Sequence, residues 1–268
     1  MKTKIIICLD GCSPDYLVHG ETPNLDAIAR EGFHTIGEAV VPTVTNVNNT
    51  SIITASFPEM HGITTNYLLD PVSGRECYME SAEYLLTRTV FRRLADRGLK
   101  TCLLTAKDKL KSLIRDGAAV AESAERPSSW LTGRIGCAPG IYTIEVNHWL
   151  LRAACDILRR DRPDFLYVST TDYVNHTFPP ESEEAGMNVR ETDRLIGEIV
   201  DTVPDCDIVI TADHGMNDKS RAINPAALLK GAGIAARSIP IIKDRHVVHH
   251  RNLGGAAYIY LDDPQTEG

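Results

Sequence analysis

Residues 4–11 read KIIICLDG. Five apolar side chains follow one another from Ile5 to Leu9 without alternation, and the run stops at Asp10-Gly11. A strand with one face in water alternates apolar and polar residues, whereas a strand covered on both faces does not. The stretch therefore predicts a short strand inside a parallel sheet, with Asp10 at its C-terminal end. Ligands of open α/β sheets gather beyond the carboxyl ends of the strands, so Asp10 is placed for chemistry. Taken alone, an Asp that simply caps the next turn explains it as well.

Similar runs recur at KTCLLTA (100–106), DFLYVSTTD (164–172) and DIVITADHG (207–215). Segments of helical period lie between them, at 22–31 with Thr22 as N-cap and Pro23 in the first turn, and at 81–98, 146–160 and 189–203. GFHTIGEAVV (32–41) reads as one more strand, and 50–55 as a turn of helix. The alternation predicts an α/β fold, a mostly parallel central sheet with helices on both faces. Lys107, Asp172 and Asp213 stand at or just past strand ends, as Asp10 does, which gathers four charged residues at one edge. Beyond about residue 220 the texture changes, and HVVHHRNLGGAAYIYLDDP (246–264) suggests a short antiparallel element. Residues 1–220 are expected to form the core and 221–268 a partial cap lobe.

Composition narrows the classes further. With 268 residues, 43% hydrophobic and 24% charged, the chain is sized for one domain or slightly more and is not of disordered composition. A net charge of −8 supplies no basic footprint for nucleic acid. No run approaches the ~20 apolar residues of a membrane span, and no signal-peptide pattern precedes the first strand. The seven cysteines are odd in number and include no C-x-x-C pair, which favours buried reduced thiols and a cytoplasmic setting. No G-x-G-x-x-G follows the first strand, which disfavours a dinucleotide-binding protein.

The chemistry-bearing residues form a set. In TADHG (211–215), Asp213 and His214 offer a carboxylate and an imidazole side by side, both good zinc ligands. In TTDYVNH (170–176), Asp172 and His176 share a face if the segment is helical. PTVTNVNNTS (42–51) offers hydroxyls and amides before a helix, and Thr45 is a candidate nucleophile that a base or metal would activate. Each has a plain structural reading on its own: a capping His, a solvated Asp, an N-cap Thr. Together they can build two adjacent metal sites suited to in-line displacement at phosphorus.

In this ordered set the sequence resembles the alkaline phosphatase superfamily, and within it most closely the phosphonoacetate hydrolases. The closer likeness rests on Thr-Asn-x-Asn-Asn around Thr45, on ITTNY with Asn66, on TAKDKLK with Lys107 and Lys109, and on VVHH at 247–250. It implies two zinc ions, one held by Asp10, Thr45, Asp213 and His214, the other by Asp172 and His176. It also implies that Thr45 attacks phosphorus to give a phosphothreonine, that Asn66 binds a phosphonyl oxygen, and that Lys107 and Lys109 bind the substrate carboxylate. The implied reaction hydrolyses the carbon–phosphorus bond of phosphonoacetate to acetate and phosphate. Positioned ammonium groups suit it, because the carbon leaving group departs as an anion. A solvated basic helix start is the plain alternative for Lys107 and Lys109.

The resemblance also implies a further zinc-binding His, C-terminal of the Asp-His pair. Only His246, His249 and His250 follow that pair, and the chain ends at Gly268. A C-terminally truncated chain with an incomplete second zinc site is therefore expected. The partner is a small anionic phosphonate, with no nucleic acid and no membrane, and a homo-oligomer stays open. Two other readings remain: a phosphodiesterase or nucleotide pyrophosphatase of the same superfamily, and an inactive metal-binding remnant.

Overall fold

The computed structural model describes residues 2–70, 72–243, 245–251 and 253–262. Five strands build the central sheet: β1 (Thr3–Cys8), β4 (Thr101–Thr105), β5 (Val120–Ser123), β6 (Phe165–Ser169) and β7 (Cys206–Thr211). Two short pairs stand apart, β2 (Tyr67–Leu69) with β3 (Glu76–Tyr78) and β8 (Ala236–Pro240) with β9 (Ala257–Leu261), each antiparallel. The large sheet has the order β5-β4-β6-β1-β7, and every pairing in it is parallel. This is the α/β architecture that the uninterrupted apolar runs predict.

Both faces of the sheet are covered at β1, β4 and β6, which is why alternation is missing there, whereas the edge strand β7 leaves Asp207 and Val209 exposed. Ile5, Ile7, Leu104, Leu166 and Val168 face a cluster with Trp149, Leu150 and Ile157 of the Glu145–Arg160 helix and Leu195 and Ile199 of the Glu183–Thr202 helix. Cys8, Leu103, Phe165 and Tyr167 point the other way, against Val47 and Ile53 of the Thr45–Thr54 helix and Leu113 of the Asp108–Ile114 helix. The Glu183–Thr202 helix begins well before residue 189, where Ser182 accepts from the Ala185 N–H at 3.2 Å.

Three expectations need correction. Residues 32–41 form no strand, and Phe33, Ile36 and Val41 are exposed. The N–H and C=O of Val40 instead bond the Asn48 side chain, at 2.8 and 3.1 Å, so they are not available to a ladder. The segment 81–98 is not one helix: a short 3-10 turn at Ala82–Tyr84 precedes a helix at Val90–Ala95. There Thr89 Oγ1 accepts from the Arg92 N–H at 3.0 Å and caps a fresh start. The helix expected at 50–55 begins already at Thr45; the Asn48 amide is drawn off to the Val40 carbonyl at 3.1 Å, and the Asn49 amide bonds back to the Thr45 carbonyl at 3.0 Å.

Of the antiparallel element expected within 246–264 only β9 lies there; its partner β8 precedes that stretch, and Val247–His250 is a short helix. Ile241, just after β8, and Tyr258, in β9, tie the β8–β9 pair to the segment preceding β2, with Asn66 N donating to Ile241 O at 3.0 Å and Tyr258 Oη to Thr64 O at 3.0 Å. The side chains of His249 and His250, and residues 263–268, lie outside the described residues. Among the described residues no helix is long and apolar enough to cross a membrane.

Candidate metal centre and active site

Parallel register brings four strand ends to one edge. Cys8 pairs with Ser169 on one side and Thr211 on the other, and Thr105 pairs with Ser169. The residues that follow these ends are Asp10, Asp172, Asp213 and Lys107, with relative exposures of 2%, 4%, 1% and 6%. Three carboxylates are thus enclosed together with one ammonium. Lys107 Nζ lies 3.2 Å from Asp172 Oδ1. Burial, then Asp172 and Asp213, push the Asp10 carboxyl well above the ordinary carboxylate range, and Lys107 pulls it back.

The backbone holds these groups firmly. The Asp10 N–H donates to Thr170 Oγ1 at 2.9 Å, and Asn175 Nδ2 donates to the Asp10 carbonyl at 3.1 Å. The Gly11 N–H donates to Asp213 Oδ1 at 3.1 Å. Asn147 brackets Thr171, donating to its carbonyl at 2.8 Å and accepting its N–H at 2.9 Å. Asp172 is the N-cap residue of the Tyr173–Thr177 helix, and His176 Nε2 reaches Asp172 Oδ2 at 2.9 Å, as the four-residue spacing predicts.

The donor set fits a cation. Ligand atoms of Asp10, Asp172 and His214 all lie within 4.8 Å of one another, and Asp10 Oδ2 is buried without a hydrogen-bond partner. His214 Nδ1 lies 3.0 Å from the Gly215 carbonyl, which only accepts, so Nδ1 carries the proton. In the neutral ring the lone pair of Nε2 then faces Asp10 Oδ1 at 3.4 Å and Asp213 Oδ2 at 3.7 Å. Acceptors turned on one another require a proton or a metal ion between them. An imidazole oriented by a carbonyl on its far nitrogen is a common arrangement for a metal ligand.

Thr45 opens its helix, whose N-cap residue, Val44, offers no side-chain cap. Free first-turn N–H groups leave a partly positive environment beside it. Thr45 Oγ1 points at Asp10 Oδ1, 3.5 Å away. One turn on, Asn49 Nδ2 donates to the Thr45 carbonyl at 3.0 Å and to Asp213 Oδ2 at 3.1 Å. Asn49 Oδ1 accepts from Tyr167 Oη at 2.6 Å, and burial holds the Tyr167 phenol well above its ordinary value, so it remains a donor.

The remaining residues singled out from the sequence are also enclosed. Asn66 is 3% exposed with Oδ1 unpartnered, and it joins the Thr45 turn through Met79, which donates to Asn66 O at 2.9 Å and accepts from Asn46 Nδ2 at 3.2 Å. Lys109 is 5% exposed on the helix that Lys107 precedes, so neither lysine is a solvated helix start. His246, buried, meets Tyr142 Oη through Nδ1 at 3.1 Å. Sequence reasoning missed Asn147, Thr170, Asn175 and Tyr167 as supports. A lone Asn in the apolar helix run EVNHWLL and a Tyr hydroxyl in the apolar strand run FLYV were the available signals.

Comparison with known proteins identifies relatives of the chain and of its fold. The chain is 35% identical to the crystal structure of phosphonoacetate hydrolase from Sinorhizobium meliloti 1021 in complex with phosphonoformate, with a TM-score of 0.89 over 98% of this chain and 70% of that one. Murine ectonucleotide pyrophosphatase / phosphodiesterase 5 shares the fold, at a TM-score of 0.66 and 17% identity over 96% of this chain and 70% of that one. An uncharacterized pyrophosphatase/phosphodiesterase of Schizosaccharomyces pombe is 29% identical over 80% of this chain and 45% of its own length. Venom phosphodiesterase of Naja atra is 26% identical over 79% of this chain and 26% of its own. The chain thus spans less than half the length of these two curated relatives. The model of the type I phosphodiesterase / nucleotide pyrophosphatase family matches residues 4–267, and the chain belongs to that family.

Proposed function

We propose that the chain is built for zinc-dependent hydrolysis of the carbon–phosphorus bond of phosphonoacetate, giving acetate and phosphate. The observation that carries this reading is the enclosure of Lys107 beside a carboxylate–imidazole cluster with Thr45 at its edge, with Lys109 buried on the helix that Lys107 precedes. A phosphodiester leaves as a stabilised alkoxide or phosphate, whereas acetate leaves as a carbanion and gains more from neighbouring ammonium groups. The likeness to a phosphonoacetate hydrolase over 98% of the chain supports the same choice.

In this reading Asp10, Thr45, Asp213 and His214 hold one zinc ion, and Asp172 and His176 contribute to a second. Bound zinc would polarise the phosphonyl oxygens and favour the ionised form of the Thr45 hydroxyl. Thr45 Oγ1 attacks phosphorus, and Asp10 Oδ1 is the nearest acceptor for its proton. The carbon–phosphorus bond breaks with its electron pair on the methylene carbon, which is then protonated to acetate. Lys107 and Lys109 bind the carboxylate and offset the charge that develops there, and Asn66 donates to a phosphonyl oxygen. Water releases phosphate from the phosphothreonine and restores the Thr45 hydroxyl.

Replacing Thr45 by Ala tests this directly. Phosphate release from phosphonoacetate should vanish while bound zinc stays near the wild-type amount, and full turnover in that variant sinks the reading. A phosphodiesterase is the second reading, favoured by the family description and the names of the curated relatives. Parallel assays of phosphonoacetate and a nitrophenyl phosphodiester separate the two.

A further inference from the structure

The Thr45–Thr54 helix and the β7 strand end are joined by one side chain. Asn49 spends both amide hydrogens at once, on the Thr45 carbonyl at 3.0 Å and on Asp213 Oδ2 at 3.1 Å. An amide can do this only in one of its two flipped orientations, and the structure supplies what selects it. Tyr167 Oη, on β6, reaches the opposite end of the amide at 2.6 Å. Tyr167 and Asn49 are both fully buried, so water does not compete for these bonds.

We propose that Asn49, oriented by Tyr167, is a positioning residue that sets the nucleophile turn of Thr45 against the metal-ligating Asp213. The pair spans three elements, from β6 through the helix to the end of β7, crossing over β1. With Asn49 in place, Asp213 keeps its two oxygens apart in role. Oδ1 accepts from the Gly11 and His214 N–H groups at 3.1 and 3.0 Å, while Oδ2 takes Asn49 and faces His214 Nε2. Without it, Oδ2 is free to rotate, and the first turn of the helix loses its tie to the sheet. This inference rests on the reading of Thr45 as nucleophile and Asp213 as ligand.

The test titrates zinc into chelator-treated protein by calorimetry and measures phosphate release from phosphonoacetate. Wild type, Asn49→Leu, Tyr167→Phe and the double variant are compared, each checked for folding by circular dichroism. Removing a residue that orients a metal ligand typically weakens metal binding or activity roughly 10- to 100-fold. Asn49→Leu should show that loss in zinc affinity, Tyr167→Phe a smaller one, and kcat should fall while KM stays. The double variant should be no worse than Asn49→Leu, because both act through one amide. Wild-type affinity in both single variants, losses that simply add, or a wild-type chain that binds no zinc overturns the inference. Calorimetry needs no substrate, so a zinc-binding wild type that releases no phosphate counts against the hydrolase reading alone. If Asn49→Leu does not fold, Tyr167→Phe decides by itself, since it removes a single oxygen and unchanged zinc affinity there refutes the relay.

Discussion

Lys107 and Asp172 form an ion pair at 3.2 Å with side-chain exposures of 7% and 6%, at the ends of two adjacent strands. Breaking an enclosed pair by removing one partner leaves an uncompensated charge and typically costs about 3–5 kcal/mol. Lys107→Met should therefore destabilise the metal-free protein by roughly that amount, read by urea unfolding in chelator. Adding Asp172→Asn to Lys107→Met should recover part of the loss. A single variant as stable as wild type would mean that the pair is solvated.

The raised Asp10 carboxyl sets a pH dependence. Its folded form holds a proton that the unfolded chain releases near about pH 4. The folded state then binds more protons than the unfolded one, so stability falls as pH rises above that point. Metal-free protein should lose stability between pH 5 and 8 in denaturant titrations, and Asp10→Asn should flatten the trend. A divalent cation should restore the stability of wild type at pH 8 and leave Asp10→Asn nearly unchanged.

Gly11 sits where the site leaves no room. Its φ is +70°, and a Cβ built there would lie 2.7 Å from Asp172 Cβ. Ala in the left-handed region costs about 1–2 kcal/mol before any clash is counted. Gly11→Ala should be destabilised by more than that and should bind zinc more weakly, since the methyl group drives Asp172 away from Asp10. Thermal unfolding and zinc titration of this variant check both effects.

Leu104 in β4 is fully buried, whereas Ile36 in the 32–41 segment is 73% exposed. Leu104→Ala should cost about 2–5 kcal/mol, and Ile36→Ser should stay within about 0.5 kcal/mol of wild type. A large loss at Ile36 would restore the strand that the sequence suggested there.

The sequence made the sheet legible because four strands carry unbroken apolar runs, and each is followed by the residue that faces the site. Asp10, Lys107, Asp172 and Asp213 could be placed at one edge from that pattern alone, since parallel register carries strand ends to a common level. β5 went unread because VAES is short and only its last residue is buried. The 32–41 segment misled because its apolar residues have strand-like composition, while the partner of its backbone is the Asn48 side chain, eight residues on from Val40. The Asn49–Tyr167 contact joins residues 118 positions apart, and no local pattern announces it.

The sheet order also has a consequence for how the chain reaches its fold. Among the described residues β1 pairs with β6 and β7 in the large sheet, so it leaves the ribosome long before either partner. At about 5–20 residues per second, synthesis of the intervening stretch takes roughly ten to thirty seconds. Throughout that interval Ile5–Leu9 has no ladder to join, and an unpaired apolar strand is a template for the wrong neighbour. The geometry that gathers Asp10, Asp172 and Asp213 thus leaves this strand open to misassociation until translation has passed β6.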